Sequence, residues 1–202
     1  MFGMKGNLHL GLAEQIRLLL NDNEIPFEDH RIPKTEWEKF KPQFHFGQVP
    51  CLFEDGHQIV QTGAIMRHLA RKFNLYGTNE NEATFADMFY EGIRDLHNKY
   101  TKMIYLAYET EKDSFIETIL PEELAKFEKL LKTHGNGNGF ILGDKICFSD
   151  YALFEELDIM EILDSNSLNN FPHLKAYHQR MHDRPNIKVF DDMDFLVKVL
   201  KK

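Results

Sequence analysis

Apolar positions along the chain change their spacing once, near residue 75, and that change divides the fold. Before it the runs are short and mixed. Leu8 and Leu10 alternate with polar neighbours, which makes a short strand at best, and Gly3 and Gly6 weaken it. Ile16, Leu19 and Leu20 mark one face of a helix over residues 12–21, with Arg17 turned outward. Phe27 to Ile32 alternates as a second strand, and residues 33–44 are a connection or a short helix. Two brief apolar runs, Cys51-Leu52-Phe53 and Gln58-Ile59-Val60, flank Asp55-Gly56, the signal of a hairpin. After Gln61 the period becomes helical through Ile65, Met66, Leu69 and Phe73. Beyond the linker-like Tyr76-Gly77-Thr78-Asn79 the pattern stays helical: residues 80–108, a helix opened by Pro121 and running through Leu130, residues 148–163, 172–181 and 186–200. The glycine-rich run from His134 to Gly139 is a flexible loop. The reading is a β-α-β, β-β-α domain over residues 1–75, followed by an all-α domain over residues 80–202.

The stretch from Phe46 to Arg67 carries the chemistry. Val49-Pro50 between apolar runs is a candidate cis bond, and such a turn presents the Val49 backbone for pairing with an extended peptide. Thr62 fits the N-cap of the helix that follows. The free N–H groups and positive dipole end of that helix suit a carboxylate or a phosphate. The alternative is a buried hairpin followed by a capped helix, with no ligand.

Composition narrows the partners. The 202 residues are 43% hydrophobic and 28% charged, with a net charge of −8, which argues against a general nucleic-acid or anionic-membrane role. No run approaches the ~18 apolar residues of a membrane span, and the first residues lack the make-up of a secretory signal. Cys51 and Cys147 give no disulfide framework, and a cytoplasmic protein is expected. Of the ten histidines, His178 and His182 stand four apart in a stretch read as helical, but no metal motif accompanies them and no metal is expected. Glu122-Glu123 and Glu155-Glu156 read as solvated helix faces. Cys51 reads as a small buried hydrophobe.

The segments FGQVPCL, IVQTGAIMRHLARK, DMFYEGIRDLHNKY and ILGDKICFSDYALFEELD, in this order and spacing, resemble the cytosolic glutathione transferases, the pi class and its nematode relatives above all. The resemblance runs from Gly11 onward. It implies an α/β thioredoxin-like N-terminal domain that binds glutathione, an all-α C-terminal domain with a hydrophobic co-substrate site, and a homodimer. It implies conjugation of the glutathione thiol to hydrophobic electrophiles, with glutathione as co-substrate and no cofactor. Carried over residue by residue, Val49, before Pro50, pairs with the cysteinyl backbone of glutathione. Gln61 and Thr62 hold the γ-glutamyl carboxylate. Trp37, Lys41 and Gln48 hold the glycyl carboxylate. Asp95 reaches across the dimer to the γ-glutamyl amine, Tyr105 faces the electrophile, and Phe46 is the aromatic key that enters the partner subunit. Each residue has a plainer alternative: Trp37 as an amphipathic packing contact, Arg94, Asp95 and Lys99 as a solvated ion-pair face, and Tyr105 as core.

This chain departs from that pattern at its start. The family's first strand carries a Tyr whose hydroxyl donates to the glutathione sulfur and stabilises the thiolate, the reactive form. In register, Gly6 falls at that place and Asn7 at the next, and residues 1–34 contain no Tyr, Ser, Thr or Cys. His9 and Leu10 stand where an arginine is common. Asn7 and His9 are the weak candidates for a substitute donor. The expectation is intact glutathione binding with weakened conjugation. The alternative is a non-catalytic, ligandin-type glutathione-binding carrier, and a narrower one a sigma-like prostaglandin isomerase suggested by FEDHRI. Two smaller departures follow. Cys147, where the family has Ser or Thr in a capping box with Asp150, should cap its helix less well. The end at Lys202, without the Asn-Gly tail common in the pi class, should leave the electrophile pocket more open.

Overall fold

The computed structural model describes residues 2–7, 11–134 and 137–191. It falls into two compact units. One takes the chain to Phe73 and takes it up again from His182; the other is Asn74–Met181.

The first unit is built on a four-stranded sheet, β1 (Phe2–Asn7), β2 (Phe27–Ile32), β3 (Cys51–Glu54) and β4 (His57–Val60), in the order β2-β1-β3-β4. β1 and β2 are parallel, joined by the helix α1 (Glu14–Asp22). β3 lies antiparallel to β1 with Lys5 opposite Cys51, and β4 closes the hairpin with Cys51 opposite Val60. Asp55 (φ 49°) and Gly56 (φ 83°) make its two-residue turn; both central positions are left-handed, which matches the twist of the strands. Strand alternation sorts the core. Cys51 and Val60 join Ile32 and Phe44 in one cluster, with Trp37, Phe40, Val49 and Phe53 packed against it. Leu52 points the other way and is fully buried, as are Ile16, Leu19 and Leu20 of α1 and Ile65, Met66 and Leu69 of α3 (Thr62–Lys72). Between β2 and β3 the chain makes short helical turns, including α2 (Trp37–Phe40).

Arg17 does not face outward as its place in the apolar pattern predicts. It is 1% exposed, and its guanidinium grips both oxygens of Asp29 on β2 (3.1 and 3.2 Å) and bonds Glu14 at 2.7 Å. The fork geometry of arginine offsets the cost of burial by satisfying its donors. At the far end of α1, Asp22 accepts from Arg184 at 2.7 Å, which ties α9 (Pro185–Asp191) to this unit. The rest of the helix expected over 186–200 lies outside the described residues, as does Lys202.

The second unit is helical. α4 (Glu80–Leu106) is capped by Asn79, whose side chain accepts from the Glu82 N–H at 3.0 Å. It ends at Leu106, and Ala107 (φ −149°, ψ 27°) breaks the backbone before α5 (Tyr108–Ser114). A π-helical turn (Phe115–Ile119) leads into α6 (Leu120–Thr133), so residues 108–119 are helical although their apolar spacing did not predict it. α7 (Phe148–Leu163) and α8 (Pro172–His182) complete the unit. α7 is buried along most of its length, Tyr151, Leu153, Phe154, Leu157 and Met160 being fully enclosed. Its Ser149 hydroxyl donates to the Ala86 carbonyl of α4 at 2.7 Å. The α7 N-terminus closes on a capping box. Asp150 accepts from the Cys147 N–H (2.7 Å), the Ile141 N–H (2.9 Å) and the Tyr177 hydroxyl (3.0 Å), and Cys147 takes the reciprocal place.

The carboxylates expected to be solvated are not all so. Glu155, Glu156 and Glu123 are 5%, 3% and 6% exposed. Glu156 bonds the ring of His97 on α4 at 2.8 Å, and Glu123 takes Lys99 and Lys126 at 2.5 and 2.7 Å. Lys126 is an i,i+3 neighbour on α6, but His97 and Lys99 sit on α4, out of reach of a local reading.

Candidate functional site

In the first unit, β1 ends at Asn7, at one end of the sheet, where it pairs with Ile32 of β2. Continuing the β1–β3 register from Lys5 and Cys51 sets Asn7 level with Val49. His9 lies outside the described residues. The Val49–Pro50 bond is cis. Val49 is half-buried and Pro50 buried, and among the described residues no hydrogen bond uses the Val49 N–H or carbonyl. Backbone groups left unpaired where the chain enters a strand can accept an added extended peptide.

The start of α3 differs from its prediction by one residue, with a physical consequence. Gln61, not Thr62, stands at the N-cap, with φ 70° and ψ 111°, and no side chain caps the helix. Thr62 is the first helical residue and is buried. The abrupt backbone reversal at Gln61 starts the helix there, so Thr62 has no extended backbone from which to cap. The first-turn N–H groups are thereby left to water or to an anionic ligand. A non-glycine residue held at positive φ costs about 1–3 kcal/mol and recurs where a ligand is gripped. Gln61 is exposed, and its amide donates to the Gln48 side chain at 2.7 Å, so two of the sequence-predicted residues touch.

Trp37 opens α2, half-buried, its ring stacked on Phe44 with centroids 5.8 Å apart. Packing is thus part of its role; among the described residues its indole N–H has no partner. Lys41 is exposed, with no carboxylate paired to it among the described residues. Its stem runs beside Gly47, where a Cβ would stand 3.4 Å from Lys41 Cγ. The Gln58 side chain pins this loop, accepting from the His45 N–H (2.5 Å) and donating to the Gln43 carbonyl (2.9 Å). Phe44 anchors it in the core, while Phe46 and Gly47 turn left-handed (φ 58° and 57°) and leave Phe46 79% exposed. The side chains that sequence reasoning missed here are His68, Lys72 and Glu54. Burial pushes the Glu54 carboxyl up, but bonds from Lys72 and His68 outweigh it and hold the group below its usual value. The trio fastens α3 to the end of β3.

In the second unit, Asp95 is exposed on α4 and lines a cavity of about 440 Å³. Met88, Phe89, Gly92, Phe127 and Leu130 form its apolar wall, and Lys99 and Lys126 its charged rim. Tyr105 is 79% exposed near the end of α4, so it is not core. The neighbouring Tyr100 phenol is pushed up to about 12 by burial and then by Glu156, and keeps its proton. Both cysteines are buried, and burial holds the Cys147 thiol well above its ordinary range, so neither is an exposed nucleophile.

A parallel and antiparallel mixed sheet with a cis-proline turn, followed by an all-α unit, is the thioredoxin-like plus helical architecture of the glutathione-dependent transferases. Comparison with known proteins agrees. Residues 8–71 match the family model for the glutathione S-transferase N-terminal domain, and residues 94–192 match that for the C-terminal domain. The chain is 62% identical over 189 residues to Glutathione S-transferase 2 of Onchocerca volvulus, covering 94% of this chain and 91% of that one. It is 55% identical over 180 residues to Glutathione S-transferase P of Caenorhabditis elegans, covering 89% and 86%. The structure of the Onchocerca volvulus pi-class enzyme superposes with a TM-score of 0.95 at 58% identity, over 98% of this chain and 95% of that one. The chain belongs to the glutathione S-transferase family, and its function is that of a transferase of the pi-like type.

Proposed function

We propose that this transferase anchors glutathione in the first unit but activates its thiol poorly. The cysteinyl backbone pairs with Val49 beside cis-Pro50. The γ-glutamyl carboxylate sits over the start of α3 at Gln61 and Thr62, and the glycyl carboxylate is held by Trp37, Lys41 and Gln48. The observation that carries this reading is a set of polar groups without partners among the described residues, gathered around the entry to β3: Val49 N–H and carbonyl, the uncapped start of α3, and the Lys41 ammonium. Lys41 supplies a local positive charge that the net charge of −8 does not.

The reaction is addition of the glutathione sulfur to a hydrophobic electrophile, the thiol proton leaving to solvent. With no hydroxyl side chain in residues 1–34, no Tyr donates to that sulfur. Loss of one donor to an anion costs about 1.5–3 kcal/mol, roughly ten- to hundred-fold in rate. Asn7, level with Val49, and His9 are the candidate substitutes. Tyr105 faces the electrophile. The enzyme needs no cofactor and works in the cytoplasm, where its two free thiols suit a reducing compartment.

The active form in this reading is a homodimer. Phe46 is thrown outward by two consecutive left-handed residues, and an apolar cavity of about 440 Å³ in the second unit has room for an aromatic ring. Each copy's Phe46 enters the other's cavity, an isologous exchange, and Asp95 on the cavity's edge then reaches the γ-glutamyl amine held by the partner.

The test is paired: calorimetric binding of glutathione, and turnover with a model aryl halide. Binding with low turnover is expected, and Gly6→Tyr should raise turnover at least tenfold with little change in affinity, about 1.4 kcal/mol in the barrier. Turnover normal for the family refutes the weak activation. Absence of binding heat at millimolar glutathione refutes the site. Binding with no turnover at all, unrescued by Gly6→Tyr, favours the ligandin-type carrier.

A further inference from the structure

We propose that Asp158, Glu161 and His178 form a site for a divalent transition-metal ion of the zinc class, clamping α7 to α8. Asp158 and Glu161 are three apart on α7 and so share one face of the helix. His178 comes from α8. Its Nε2 lies 2.5 Å from Asp158 Oδ1 and its Nδ1 3.4 Å from Glu161 Oε2. One ligand atom from each residue fits within a sphere in which all three are no more than 4.8 Å apart. Metal–ligand bonds of about 2.0–2.2 Å place ligand atoms about 3–3.5 Å from one another; one ion takes one ring nitrogen, so with His178 Nε2 and Asp158 as the first pair the Glu161 side chain turns from Nδ1 toward them to complete the set.

Three features go beyond a chance meeting of charged side chains. The cluster is partly enclosed: the side chains of His178, Asp158 and Glu161 are 14%, 20% and 33% exposed. The imidazole is stacked on the fully buried Phe154, ring centroids 5.1 Å apart, which fixes the ring plane with its edge toward the carboxylates. Among the described residues, neither carboxylate is paired with a lysine or an arginine. Two carboxylates then share a single imidazole in a half-buried place, a charge imbalance that a divalent cation corrects. A donor set of one nitrogen and two oxygens suits zinc, cobalt or nickel, and is too small for calcium, which takes about 6–8 oxygens. The fourth position would hold water. No reacting group converges on it among the described residues, so the role is to brace two helices. His182, the histidine singled out by its spacing from His178, is not part of the group.

The test uses the full-length untagged chain, stripped with chelator, and zinc chloride or cobalt chloride as the probe. One equivalent of cobalt should develop visible absorption bands. Zinc at a hundred times its dissociation constant should raise the melting temperature by about 5–10 °C. His178→Ala and Asp158→Asn should abolish the bands, and Glu161→Gln should weaken zinc binding at least tenfold. Glu161→Gln carries the test if His178→Ala does not fold, because its contact is the longer and more exposed. The proposal is overturned by no stoichiometric uptake at about 1 mM metal, or by equal affinity in the wild type and Glu161→Gln, which would place bound metal on other histidines. Neither result bears on glutathione binding in the first unit.

Discussion

Replacing Gln61 separates strain from ligand contact, because glycine and alanine should act in opposite directions there. Gln61 is held at φ 70°, ψ 111°, outside the ordinary regions for a side chain with a Cβ. Holding it there costs about 1–3 kcal/mol, which glycine would not incur. Against this, glycine gives the unfolded chain about 0.5–1 kcal/mol more conformational entropy, and the exposed bond to Gln48 is worth at most about 1 kcal/mol. Gln61→Gly should therefore fall between about 1 kcal/mol below the wild type and about 2.5 kcal/mol above it. Gln61→Ala keeps the strain and loses the bond, and should fall about 0.5–1 kcal/mol below the wild type. At ordinary positions alanine is the more stable of the two, so the inverted order is diagnostic. Urea unfolding at fixed protein concentration measures it, since association of copies would otherwise shift the midpoint. Both variants should also bind glutathione at least tenfold more weakly, as a hydrogen bond to a carboxylate is worth about 1.5–3 kcal/mol. Alanine more stable than glycine would refute the strain, and undiminished glutathione affinity in both would remove Gln61 from the site.

Three further outcomes are expected. Asp150→Ala leaves the Cys147 and Ile141 N–H groups and the Tyr177 hydroxyl buried without their acceptor, a loss of about 3–6 kcal/mol by urea unfolding. Burial pushes the folded Asp150 up to about 6 from 3.8, above its unfolded value, despite the opposing bonds from Cys147, Ile141 and Tyr177. Its contribution is thus full below about pH 4 and lost as pH rises through 6, so wild-type stability should fall relative to Asp150→Asn across that window and stay level above it. Cys147→Ser restores a stronger acceptor to the capping box and should raise the melting temperature by about 2–4 °C; a drop would contradict the cap. Phe46→Ala and Gly92→Leu, which remove the key and fill the cavity it enters, should each shift the chain toward monomer in analytical ultracentrifugation, and an unchanged dimer in both would rule out this interface.

What the sequence conveyed, it conveyed through local chemistry. Asp55-Gly56 announced its turn because Asp and Gly are the residues that most readily take the two consecutive left-handed positions of a two-residue hairpin loop. α7 was predicted over its full length, 148–163, because its apolar run begins at a capping box three residues wide. Misreadings gathered where a partner lies far along the chain. Arg17 is buried because Asp29 stands on the adjoining strand, and Glu156 because His97, 59 residues away, meets it inside the helical unit. A charged residue on a helix looks solvated until the helix that covers it is known. Residues 108–119 were missed for a different reason: the segment is dominated by charge, its helix is short, and it joins α6 through a π-helical turn that disrupts the 3.6-residue spacing. At α3 the error was a single residue, since Thr62 has the chemistry of a cap but Gln61 has the backbone of one.

That one-residue displacement bears on how binding and activation can part company in this chain. The groups assigned to anchoring lie on the loop from Trp37 to Pro50 and on the start of α3, and contacts outside β1 help to position them: Phe44 in the core cluster, Gln58 on the loop backbone, Gln61 on Gln48. The backbone of β1 reaches the same place through its register with β3, which, continued from Lys5 and Cys51, sets Asn7 level with Val49. A strand can keep that register with glycine or asparagine as well as with tyrosine, because the ladder is made by backbone groups. The sheet therefore does not constrain which residue meets the sulfur, and a change there alters the chemistry of the thiol while the tripeptide's two carboxylates keep their holds. Selection for retention of glutathione and selection for its reactivity would act on separate elements of one domain, so affinity and turnover should respond independently to substitutions in β1 and in the 37–62 stretch.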